Sequence, residues 1–102
     1  MQYFLFITDD AQADIQKAYN YLEKKQSGVG DKLIQKIGNS LKTIIGNPQL
    51  YAKKYRESRQ VRVKPFRYLI LYRIDKEKII FFSLFHGNQH PARKIERIRI
   101  RK

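Results

Sequence analysis

The residues able to do chemistry in this 102-residue sequence are two histidines, His86 and His90, a set of tyrosines and a large excess of lysine and arginine. A ribonuclease that uses no metal needs a base for the 2′-hydroxyl, an acid for the leaving oxygen and cations against the charge of a pentavalent phosphate. His86, Tyr72, Arg59, Arg62, Lys64 and Arg67 are of the right types for those roles. Each also has a structural reading. His86 ends an apolar strand, where an imidazole serves equally well as a hydrogen-bonding terminus. Tyr68 and Tyr72 share a strand face with Ile70 and Ile74, which favours packing with a wet hydroxyl tip over base stacking. Arg62 and Lys64 alternate with Val61 and Val63, so they face solvent whatever they bind.

Residue type and spacing exclude other chemistries. The chain has no cysteine, hence no disulfide, no thiolate zinc site and no cysteine nucleophile. His86 and His90 lack a close carboxylate, and no acidic calcium-binding loop is present. Gly28-Val29-Gly30 lies between two amphipathic segments and breaks a helix rather than cradling a phosphate. No serine sits in a nucleophile turn. The expectation is a protein with no cofactor and no metal.

Charge carries more information. Twenty-two Lys and Arg oppose nine Asp and Glu, a formal net charge of +13. The excess is concentrated. Residues 53–73 hold Lys53, Lys54, Arg56, Arg59, Arg62, Lys64, Arg67 and Arg73 against Glu57 alone, and residues 93–102 hold Arg93, Lys94, Arg97, Arg99, Arg101 and Lys102 against Glu96 alone. Self-repulsion of this kind destabilises a fold and is relieved when a polyanion or an acidic protein binds. Clustered cations therefore point to such a partner rather than to solubility alone.

The elements that position these residues follow from periodicity. Residues 2–8 are mostly β-branched or aromatic and read as a strand ending at Asp9-Asp10. Asp9 with Gln12 three residues on resembles a capping box. Ala11, Ile15, Ala18, Tyr19 and Leu22 then recur at helical spacing to about Lys25. A second helix is expected from about Asp31 to Gly46-Asn47-Pro48, with Leu33, Ile34, Ile37, Leu41, Ile44 and Ile45 inside, and the short connection makes the pair an antiparallel hairpin. A polar loop is expected through about residue 57. The period then falls to two, giving strands at Val61–Val63, at Phe66–Ile74 and, after the turn Asp75-Lys76-Glu77-Lys78, at Ile79–Phe85, apolar on both faces and so central. The tail from Pro91 fits either a short helix or an extended edge.

These elements predict one α+β domain over residues 1–102: an N-terminal strand, an antiparallel helix hairpin and a three-stranded antiparallel meander, with the helices on one sheet face and the other left for function. The apolar and aromatic content, 42% and 13%, suffices for a core. The longest apolar runs fall far short of the roughly 18 residues of a membrane span, and no basic-then-apolar leader is present. No membrane partner and a cytoplasmic location are expected.

Several pieces recur together: Ala13-Asp14-Ile15 with Ala18-Tyr19 and Tyr21-Leu22, then Ile44 with Asn47-Pro48. Arg59-Gln60-Val61-Arg62-Val63, Phe66-Arg67-Tyr68-Leu69-Ile70-Leu71-Tyr72-Arg73-Ile74, and His86 with Pro91 follow. In order and spacing they resemble the RelE/ParE superfamily of toxins from bacterial type II toxin–antitoxin modules, which includes plasmid stabilisation factors. The likeness spans almost the whole chain. It implies a basic toxin neutralised by a cognate antitoxin, acting either on DNA gyrase or on mRNA at the ribosome. RelE-like members place Arg, Arg and an aromatic residue where this chain has Leu69, Gln89 and Lys94. The Phe66–Tyr72 strand and the His86…Pro91 loop look more like the ParE branch, although Asn88-Gln89 stands where that branch often carries Arg.

The resemblance implies gyrase inhibition, with a metal-independent, ribosome-dependent mRNA endoribonuclease and an inactive toxin-fold binding protein as alternatives. For the ribonuclease the candidate catalytic residues are His86, Arg59, Arg62 and Lys64. For antitoxin or target binding they are Arg59, Arg62, Lys64, Arg67, Arg73, His90, Arg97, Arg99 and Arg101. An acidic antitoxin laid over the open face of the meander and the basic tail neutralises both clusters.

Overall fold

The computed structural model describes residues 2–101. The chain runs β1 (Phe4–Ile7), α1 (Asp9–Lys25), α2 (Val29–Gly46), β2 (Lys53–Tyr55), β3 (Ser58–Arg62), β4 (Tyr68–Asp75), β5 (Lys78–His86) and α3 (Pro91–Ile100). The strands form one sheet in the order β1-β5-β4-β3-β2. β1 runs parallel to β5, and all other neighbours are antiparallel. Among the described residues no helix is long and apolar enough to cross a membrane.

α1 is capped one residue earlier than the sequence pattern suggests. Thr8, not Asp9, accepts from Ala11 N–H through its hydroxyl (3.1 Å). Asp9 and Asp10 occupy the first turn, where carboxylates favour the helix dipole. The hairpin is tighter than expected because α2 already begins at Val29. Gly28 takes the left-handed backbone its position needs (φ +91°). Glu23 of α1 then accepts from Gly28 N–H (2.9 Å) and Gly30 N–H (2.7 Å), setting a carboxylate on the unsatisfied N–H groups of α2. Gly30 is required by close approach: a Cβ there would lie 2.7 Å from the Tyr19 ring.

The sheet departs from a three-stranded meander in one element. The segment expected as a polar loop contains β2, which pairs with Ser58 and Arg59 of β3. Lys53-Lys54-Tyr55 carries no apolar alternation because it is a short edge strand, where exposed lysines discourage further pairing. β5 is central as its two apolar faces suggest. Its register slips at Phe82: Tyr72 faces Phe81 and Leu71 faces Ser83. This bulge sends Phe81 and Leu84 to one side of the sheet and Phe82 and Phe85 to the other.

The two sides have separate cores. Ala11, Ala18, Leu33, Ile37 and Ile44 of the hairpin pack against Val61, Ile70, Tyr72, Ile79, Phe81 and Leu84. The opposite face buries Leu71, Phe82 and Phe85 beneath Ile98. The tail is therefore the helix α3, and it lies on the face expected to be open. All helices on one side is thus corrected: three aromatic or aliphatic side chains point away from the hairpin, and a C-terminal helix with one inward isoleucine removes them from water. Phe4 and Phe6 of β1 stay about half exposed, at 53% and 51%.

Candidate functional site

The most densely connected polar group is Asp14, in the middle of α1. β1 ends opposite Phe81, so beyond that point the outer edge of β5 has no strand partner. Asp14 accepts from Leu84 N–H (3.1 Å) and Ser83 Oγ (3.3 Å) on that edge. From α3, Arg97 reaches the same carboxylate at 3.3 Å and Arg101 at 2.6 Å. Both arginines also donate to the edge, Arg97 to Leu84 O (3.2 Å) and Arg101 to Phe82 O (3.4 Å). Side chains thus do here what a longer β1 would do elsewhere. Burial pulls the Arg97 guanidinium below its ordinary value, opposed by the adjacent Asp14 carboxylate.

His86 stands at the end of β5 opposite Tyr68, and their rings meet edge to face at 4.9 Å. Its Nδ1 accepts from Asn88 N–H (3.1 Å), which in the neutral ring leaves the proton on Nε2. A small cavity of about 170 Å³ adjoins it, lined also by Lys17, Gln89, Arg97 and Asp14.

The cations proposed to act with His86 lie elsewhere. Residues paired across a ladder share a face. Arg62 pairs with Leu69, which packs on the α3 side, whereas Tyr68 and with it His86 belong to the hairpin side. Arg62 Nε donates to Phe66 O (2.9 Å). Arg59 pairs with Tyr72, well up the strand, and donates to Tyr51 O (2.6 Å), holding the loop before β2. Lys64 is exposed beyond β3. Arg67 donates to Asn88 Oδ1 (3.1 Å) and borders a shallow basic cleft with Arg62 and Leu69. Arg73 is half-buried near Asp75. His90 caps α3, its Nδ1 accepting from Ala92 N–H (3.1 Å). Arg97 and Arg101 are committed to Asp14, and Arg99 is exposed. Among the described residues no group of three or more His, Asp or Glu gathers to hold a metal ion.

What the structure does bring together is Lys64 with Lys36 of α2, along an open trough of about 490 Å³ between α2 and β3 that Arg62 also borders.

The family model described as the ParE toxin of the type II toxin–antitoxin system, parDE, matches residues 5–91. The chain belongs to the ParE toxin family. The match runs from β1 to the first residue of α3, so the hairpin, the sheet and His86 fall inside it, while Arg97 and Arg101 lie beyond. A solved structure titled as the chromosomal ParDE TA system from P. aeruginosa is similar in fold, with a TM-score of 0.74 at 16% identity, covering 83% of this ParE-family chain and 96% of the other. No curated protein matches.

Two residues of this ParE-family chain escaped the sequence reading as site residues. Asp14 belongs to the Ala13-Asp14-Ile15 piece of the resemblance, but nothing in its spacing points to partners in α3. Lys36 begins a polar stripe with Asn39, Ser40 and Thr43, a helical spacing that is legible but reads as an ordinary solvated face.

Proposed function

We propose that this chain is the growth-arresting toxin of a type II toxin–antitoxin module, that it poisons DNA gyrase by binding, and that an acidic antitoxin holds it inactive. Membership of the ParE family supports the module and the branch. The observation that carries binding over hydrolysis is the separation of His86 from Arg62 on opposite faces of the sheet. A cation on the far face of a sheet does not stabilise a phosphorane formed at the imidazole, and of the two cations that line the cavity beside His86, Arg97 is held by Asp14, which leaves Lys17 for that charge.

The test pairs two assays on the purified chain. With gyrase, ATP and plasmid the expected result is trapped double-strand breaks that depend on gyrase. With translating ribosomes the expected result is no new mRNA ends. New mRNA ends without gyrase-dependent breaks would replace this reading with the ribosome-dependent endoribonuclease, and silence in both assays, with no growth arrest on expression, would leave an inactive binding protein.

A further inference from the structure

β1 forms one edge of the sheet, with β5 on its inner side and no strand of the chain on its outer side. Phe4 N–H donates to Glu77 O (2.8 Å) and Thr8 N–H to Phe81 O (3.0 Å), so the even-numbered residues of β1 turn their backbone groups toward β5. The N–H and C=O of Leu5 and the N–H of Ile7 therefore point outward, while Ile7 O accepts from Gln12 Nε2 (3.1 Å). Side chains alternate as well. Tyr3, Leu5 and Ile7 pack on the hairpin core, whereas Phe4 and Phe6 stay half exposed on the α3 side, Phe6 next to Ile80. Charge also sets this edge apart. Residues 1–16 hold Asp9, Asp10 and Asp14 and no Lys or Arg, in a chain of net charge +13. Arg101 of α3 is paired with Asp10 and Asp14, and Lys78 lies over the Phe6 ring at 5.4 Å, its ammonium against a π face. The opposite edge of the sheet carries Lys53 and Lys54 in β2, with Arg59 and Arg62 in the adjoining β3.

We propose that the outer edge of β1 docks a second copy of this chain, the two edges pairing antiparallel about a two-fold axis at Leu5. Leu5 and its copy then exchange both backbone bonds, and each Phe4 stands opposite the Phe6 of the other copy in a pair without backbone bonds, where side chains come closest. Four phenylalanine rings leave water together. The patch is self-complementary, as a two-fold interface requires. An axis at Ile7 instead sets Leu5 against Asp9, the first residue of α1, and leaves Phe4 without a partner. Repulsion between two chains of +13 is low where the facing strand holds no Lys or Arg, and an acidic partner gains nothing from such a strand. The paired strands are short, so the dimer is a weak one. It leaves the basic edge of each copy outward and requires nothing of the toxin reading.

The test is sedimentation equilibrium of the whole chain over a concentration series, with amide exchange followed by NMR. The expected result is a monomer–dimer equilibrium with a Kd of about 10–100 μM, and slower exchange of the Leu5 amide as concentration rises. F4K/F6K weakens the dimer by at least about tenfold, whereas Y21K/L50K, the same change at exposed apolar residues elsewhere, weakens it by less than about threefold. Should F4K/F6K fail to fold, F4T/F6T serves, with an expected loss of at least about threefold. The register is read by cross-linking, because the chain has no cysteine of its own. An equimolar mixture of F4C and F6C forms the mixed disulfide at least about tenfold faster than either variant forms a disulfide with itself, since only the mixed pair stands directly opposite. A monomer throughout the series, equal effects of the two lysine pairs, a dimer that leaves Leu5 exchange unchanged, or F4C alone cross-linking as fast as the mixture, each overturns the proposal.

Discussion

Asp14 and Arg101 stand 87 residues apart in the chain and meet at 2.6 Å. The pair joins the first helix to the last across the uncovered end of β5, with Arg97 on the same carboxylate. Asp14 is almost wholly withdrawn from water, its side chain 8% exposed against 19% for Arg101. Removing the acid therefore leaves two partly buried cations facing each other, offset only by the exposed Asp10 carboxylate 3.7 Å from Arg101 Nε.

Asp14→Asn is expected to destabilise the fold by about 2–3 kcal/mol, less than a fully buried pair because both arginines retain some water. Urea denaturation measures the loss. Hydrogen exchange should locate it, with the amides of α3 and of Ser83–Leu84 losing protection first.

Ile98 is the one buried side chain of α3, at 2% exposure, and it covers Leu71, Phe82 and Phe85. Ile98→Ala is expected to cost about 2–3 kcal/mol, the transfer of the lost atoms plus the cavity they leave. Limited proteolysis should cut within α3 before the sheet opens, whereas global unfolding without prior cleavage of α3 would show that the helix is not a separable layer.

Burial pushes the Tyr72 hydroxyl up from 10.0 to about 12, with Arg59 opposing, and burial also raises Tyr68. The neutral folded-state tyrosine holds its proton where the unfolded chain has lost it. Stability from this source is complete below the unfolded value of 10.0 and is lost as pH rises from there through about 12. Thermal melts between neutral and strongly alkaline pH should show this fall, reduced in Tyr72→Phe. That variant is also expected to lose about 1–3 kcal/mol at neutral pH, because the buried Pro48 carbonyl loses the hydroxyl that bonds it at 2.8 Å.

Gly30 leaves no room for a methyl group between Tyr19 and Glu23. Gly30→Ala is expected to destabilise by about 1–3 kcal/mol, despite alanine's better helix propensity, because relief requires moving the Tyr19 ring and the Glu23 carboxylate that holds Gly28 N–H and Gly30 N–H. Denaturation midpoints of this variant and of Gly38→Ala, where a methyl meets nothing within 4 Å, should move in opposite directions.

The local pattern of the sequence determined the helix hairpin, the strands from Val61 onward, the central place of β5 and the exposure of Arg62 and Lys64. Each is a matter of period: apolar residues at three and four, or at two, force one face inward whatever the rest of the chain does. β2 escaped because three edge residues need no apolar alternation. Only the tertiary structure decided which side of the sheet α3 occupies, that Arg97 and Arg101 turn inward to Asp14, that His86 and Arg62 stand on opposite faces, and that Lys36 joins Lys64 along the trough between α2 and β3. These depend on ladder register, on the bulge at Phe82 and on where β1 and β2 stop, and such contacts between distant segments leave no periodic trace in a linear sequence.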